Sequence, residues 1–187
     1  MIYPIVAYGD PVLKAQAQDL PQGSPELNKL IEDMYDTMYN AHGVGLAAPQ
    51  IGKSLRLFVI DSAPFEEDED KKAASVKKAF VNPRIIKEEG EEWAFEEGCL
   101  SIPGIREDVY RPALVTIRYF DADWQLQEEV FDGLVARIIQ HEYDHIEGIL
   151  FTDHLSGFKK RLIKSKLAKI SRGDVDADYR MKFPGKR

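Results

Sequence analysis

His141-Glu142-Tyr143-Asp144-His145 combines residue types and a spacing that suit metal-dependent hydrolysis. Positions four apart on a helix lie on one face, one above the other, so both imidazoles can reach a single ion. Glu142 stands one step round, where a carboxylate can touch a water at that ion without ligating it. The surrounding segment, residues 132–148, reads as one amphipathic helix, with Asp132 as its cap and Gly148 ending it in a left-handed turn. Ile138 and Leu134 continue the histidine stripe one and two turns earlier, so an apolar floor is expected beside the metal.

Two imidazoles are too few, because a catalytic metal of this kind normally has three protein ligands and one open position. An extended form of the motif would need a third histidine where this chain has Phe151. Asp174, Asp176 and Asp178 belong to a polar tail (174–187) expected to be flexible, and His42 and His154 have polar, loop-like neighbours. Cys99 remains, the single cysteine. A lone cysteine often serves as a small buried hydrophobe. This one stands between Gly98 and a Leu-Ser-Ile-Pro-Gly turn, where a thiolate can complete a Cys-His-His site in an irregular loop. One cysteine, and a start without a signal-peptide pattern, imply a reducing cytoplasm.

Three stretches, Gly43-Val44-Gly45-Leu46-Ala47-Ala48-Pro49-Gln50, Glu97-Gly98-Cys99-Leu100-Ser101 and Gln140-His141-Glu142-Tyr143-Asp144-His145, resemble the three signature motifs of the peptide deformylases, in the family's order. The resemblance runs from the N-terminus to about Leu155, with Ile146 where many members have Leu and an acidic insertion before the second motif. It implies an enzyme that removes the formyl group from the N-terminal formylmethionine of new proteins, releasing formate. It further implies Fe2+ as the working ion, with Zn2+, Ni2+ or Co2+ possible in purified protein. Gln50 and the backbone N–H of Leu100 are then expected to meet the developing oxyanion, and Glu142 to move the proton. Gly45, Glu97 and Gly98, within the motifs, are expected at the substrate. Val44 and Phe95 are candidate pocket walls beside Leu134 and Ile138, for a methionine side chain adaptable enough to fill the space.

The rest of the chain must position these groups. Its 187 residues, 44% hydrophobic, suit a single domain with a real core. A net charge of −7 argues against general binding to nucleic acid, no specific DNA binding is expected, and no apolar run approaches membrane-spanning length. Ser24-Pro25 is expected to open a helix with Leu27, Leu30, Ile31, Met34 and Met38 inward, ending near His42-Gly43. Gly43–Gly52 reads as a close-passing loop. Strands are expected over Leu55–Ile60, over Ala79–Asn82 and Arg84–Lys87 on either side of Pro83, and as a hairpin around Asp121-Ala122-Asp123. An acidic insertion, about 61–79 with its charge run at 66–72, reads as a solvated loop.

A final helix over Gly157–Ile170 should turn Phe158, Leu162, Ile163 and Leu167 inward. Its outer face is lysine-rich, and by the resemblance could contact the ribosome. Strands followed by helices give an α+β class: mixed or antiparallel sheet around a central metal-binding helix, with one N-terminal and one C-terminal helix. Two rivals keep some of this picture. A metallopeptidase shares the helix but wants a third His or Glu, and a metal- or ribosome-binding module would need neither Glu142 nor an open position.

Overall fold

The computed structural model describes residues 1–65 and 75–185; the charge run 66–72 lies outside them. Leu57-Phe58-Val59-Ile60 is apolar at every position because strand β3 (Leu57–Asp61) is covered on both faces. Leu57 and Val59 pack with Leu27, Ile31, Met34 and Met38 of helix α1 (Leu27–Asn40). Phe58 and Ile60 pack with Val135, Ala136, Ile138 and Ile139 of helix α2 (Gly133–Ile146).

The sheet is five-stranded and antiparallel, in the order β2-β3-β4-β5-β6. Strand β2 is Gly45–Ala47, β4 Lys77–Cys99, β5 Ile102–Phe120 and β6 Leu126–Asp132. With helices α1, α2 and α3 (Gly157–Arg172) the class is α+β, and the hairpin at Asp121-Ala122-Asp123 joins β5 to β6. A two-stranded parallel pair, β1 (Ile5–Val6) with β7 (Met181–Lys182), lies apart from the main sheet.

Several elements differ from the sequence reading, each for a local reason. Pro83 does not break the strand: β4 runs through it, with a register shift between Val81 and Arg84. Asn82, at φ 49°, turns its amide outward to bond both backbone groups of Leu20, at 2.8 and 2.9 Å. Gly43–Gly52 is no loop; it forms β2 and a single 3-10 turn over Ala48–Ile51. Helix α1 starts at Leu27, and Ser24 does not cap it because its hydroxyl donates to the Pro21 carbonyl at 2.6 Å. Asp132 holds the cap position of α2 without a side-chain bond, while Gly148 lies just past its end at φ 75°.

Helix α3 meets the body along one narrow seam of Ile163, Leu167 and Ile170, with Val6, Leu13, Ile102 and Phe151 opposite. Leu162 sits one step, about 100°, off that seam. It and Phe158, expected inward, are exposed at 61% and 62%. The tail beyond α3, expected to be flexible, is laid back over the body as far as it is described, to Gly185. Val175, Tyr179, Met181 and Phe183 pack inward while the polar residues between them face out, and β7 fastens the segment to β1. Among the described residues no helix is long and apolar enough to cross a membrane.

Candidate active site

Helix α2 runs through the middle of the core, with every residue from Val135 to Gln140 buried. Its polar stripe Arg137-His141-His145, spaced four apart, faces the end of β4. Cys99 is the last residue of that strand and pairs across a tight Leu100-Ser101 turn with Ile102. The loop expected around Cys99 is thus a strand end, rigidly placed by the β4–β5 ladder. Cys99, His141 and His145 each offer a donor atom, and these atoms lie within 4.8 Å of one another. Cys99 Sγ stands 3.3 Å from His145 Nε2.

Glu97 organises the charges behind this cluster. Its carboxylate accepts from Arg111 Nε and Nη2 at 2.8 and 3.0 Å and from Arg137 Nη1 at 2.9 Å. The other close partner of Glu97 Oε1 is His141 Nδ1, 2.8 Å away. Burial opposes the Glu97 charge, yet these partners hold its carboxyl well below the usual range. With Nδ1 donating to Glu97, His141 presents Nε2 to the cluster, the tautomer a metal ligand needs. Arg111 also reaches Asp144 at 2.8 Å, and Asp144 pairs with His154 at 2.7 Å. Arg137 is locked in turn by the Trp93 carbonyl at 2.6 Å and lies 4.6 Å from that indole's centre.

Glu142 is 4% exposed, and its Oε2 has no hydrogen-bond partner among the described residues. Burial pushes its carboxyl up to about 7, with the His141 charge opposing and Glu97 assisting. A buried, unpartnered carboxylate is costly unless something outside the protein meets it. Gln50 projects from the turn after β2. Its Oε1 accepts from Ala47 N at 2.9 Å, which aims Nε2 at Cys99 Sγ (3.5 Å) and Ser101 Oγ (3.3 Å).

These groups open onto a cleft of about 780 Å³. Val44, Gly45, Phe95, Gly98, Leu100 and Ile138 line it. Leu134 does not: it lies a turn too far along α2, and the stripe there is taken by Arg137. Glu97 borders the cleft, but its oxygens are engaged by the arginines and His141. Gly45 has a steric duty as well, since a Cβ there would lie 2.5 Å from Glu142 Oε1.

The sequence matches the family model for polypeptide deformylase over residues 2–161. The chain belongs to that family. It is 64% identical over 187 residues to a peptide deformylase of Cytophaga hutchinsonii, covering 100% of both chains. It is 60% identical over 190 residues to one of Christiangramia forsetii, covering 98% of this chain and 97% of the other. A crystal structure of a peptide deformylase from Legionella pneumophila superposes with a TM-score of 0.80 at 42% identity, covering 93% of this chain and 98% of that one. Arabidopsis thaliana peptide deformylase 1B, crystallised with an inhibitor, gives 0.81 at 35% identity, covering 91% of each. The reaction is hydrolysis of the formyl amide at the N-terminus of newly made peptides, in a metal-dependent family, and the Cys-His-His group can hold the ion.

The resemblance carried by the three motifs holds, and so does the α+β class. Arg111, Arg137, Asp144, Ser101 and Tyr179 were not foreseen at the site. Arg137 alone left a signal, standing four residues before His141 on a helix face that should have been apolar.

Proposed function

We propose that Cys99, His141 and His145 hold one divalent ion, Fe2+ in the cell, and that Glu142 moves the protons of deformylation. The observation that carries this reading is the buried Glu142 carboxylate, with one oxygen unpartnered, beside a three-donor cluster. A thiolate with two imidazoles is a fitting donor set, since three donors leave one position open and the ion binds the imidazoles in their neutral form. When bound, the ion supplies a Lewis-acid centre that acidifies water and polarises a carbonyl.

The protein's own groups do the rest. Glu142 accepts a proton from water as the water oxygen bonds to the formyl carbon. Gln50 Nε2 and the Leu100 N–H donate to the oxygen that gains charge, each worth about 3–4 kcal/mol at the transition state. Glu142 then gives its proton to the amine nitrogen as the C–N bond breaks, leaving formate and a free N-terminus. Glu97 keeps His141 in the donating tautomer. Ile138, Val44 and Phe95 receive the methionine side chain, and the peptide backbone passes Gly45 and Gly98.

We infer that the enzyme works in the cytoplasm, where formylated chains emerge. The basic face of α3 (Lys159, Lys160, Lys164, Lys166) is the surface suited to an anionic partner such as the ribosome. Formate release from a formyl-Met tripeptide, run beside cleavage of an internal peptide bond, tests the reaction: only the first should proceed. Anaerobic purification followed by elemental analysis tests the ion. Iron at one per chain, with activity decaying in air and persisting longer in a nickel form, is the expected result.

A further inference from the structure

The matched family region ends at residue 161, yet Asp176, Ala177, Asp178 and Tyr179 stand at the active cleft. They are held there from both sides. Upstream, Gly173 closes α3 at φ 78°, and Asp174 N donates to the Lys169 carbonyl at 2.9 Å. Downstream, Ile5 N bonds the Arg180 carbonyl and Ala7 N the Lys182 carbonyl, each at 2.8 Å. Between these anchors the Tyr179 hydroxyl donates to the Leu100 carbonyl at 2.7 Å.

Leu100 sits in the two-residue turn that carries Cys99 on one side and Ser101 on the other. Ser101 is fixed through its carbonyl, which accepts from Tyr8 N at 2.9 Å. The Leu100 side chain is pressed so close to Gly43 that a Cβ there would lie 2.9 Å from Cδ1. Tyr179 is the partner of the Leu100 carbonyl, and its bond fixes the Leu100–Ser101 peptide plane.

We propose that the C-terminal segment 175–181 is a working wall of the active cleft, with Tyr179 the positioning residue that orients Leu100. This rests on the reading that the Leu100 N–H meets the oxyanion. The Leu100 N–H lies in the Cys99–Leu100 peptide plane, anchored by the Cys99–Ile102 pair, and the Tyr179 bond holds the following plane, so Leu100 is gripped on both sides. The tail thereby braces the residue that carries an oxyanion donor, and a misplacement of about 1 Å there is felt mainly in the transition state.

Tyr179→Phe removes the hydroxyl and keeps the ring. It should lower kcat about fivefold to tenfold, with KM, metal content and melting temperature unchanged. In the metal-free protein, amide hydrogen exchange across residues 99–102 should quicken. Tyr179→Ala also opens the wall and should raise KM as well. A Tyr179→Phe variant with the wild-type kcat overturns the proposal, as does a fall fully accounted for by lost metal or lost folded protein. Wild-type protein that releases no formate would instead defeat the functional reading beneath it.

Discussion

Gly45 and Glu142 contend for one volume: a Cβ on Gly45 would lie 2.5 Å from Glu142 Oε1 and 2.8 Å from its Cγ. The edge strand β2 therefore runs so close to helix α2 at Gly45 that only the Glu142 side chain fits between them there. Gly45→Ala should displace the Glu142 side chain, whose end can yield, more than it disturbs the fold. Turnover should fall roughly a hundredfold, while metal content holds. Formate-release kinetics with elemental analysis checks this; an active Gly45→Ala enzyme would mean that Glu142 need not occupy its present place.

Glu97 ties β4 to Arg111 of β5 and to Arg137 and His141 of α2. Its carboxyl is held below its ordinary value of 4.5, so it binds a proton more readily unfolded than folded. The stability it contributes is complete above about 4.5 and is lost as pH falls from there towards the lower folded value. Glu97→Gln should cost about 3–5 kcal/mol at neutral pH, because buried Arg137 loses its carboxylate partner and buried Arg111 keeps only Asp144 among the described residues. Its melting temperature should also vary less with pH below 4.5 than that of the wild type. Thermal unfolding of metal-free protein across about pH 3–7 measures both; parallel curves for the two proteins would rule the linkage out.

What the sequence revealed and what it hid follow from the range of the forces involved. His141, His145 and Glu142 are legible because helical spacing alone puts them together. Cys99 was reachable by elimination, but its setting was not: strand pairing over 77–120 depends on contacts far apart in sequence. Pro83 read as a break because a single residue's missing donor is visible, whereas the bulge that absorbs it needs the neighbouring strand. Leu134 read as pocket floor for want of knowing that Arg137, buried and ion-paired, fills that stripe. The tail read as flexible because every second residue is polar, which is also the pattern of a segment packed on one face.

Ile138 is 5% exposed and borders the cleft one turn before His141. Burying a methionine side chain against such a surface is worth about 1.5–3 kcal/mol, or roughly tenfold to a hundredfold in kcat/KM. Ile138→Ala should narrow the preference for formyl-Met over formyl-Ala peptides while metal content stays constant. The ratio of the two kcat/KM values, taken below both melting temperatures, is the measurement. An unchanged ratio would assign Ile138 to the core alone.

In the proposed mechanism Glu142 carries protons and does not ligate the metal. Its Oε2 lacks a partner among the described residues, whereas the three donor atoms lie on Cys99, His141 and His145. Metal content and formate release of Glu142→Ala, measured on the same anaerobic preparation, separate the two roles. The expected outcome is one metal per chain, as in the wild type, with turnover lower by about 10²–10⁴ or more. A variant that deformylates at near the wild-type rate, or one that loses its metal, would contradict the assignment.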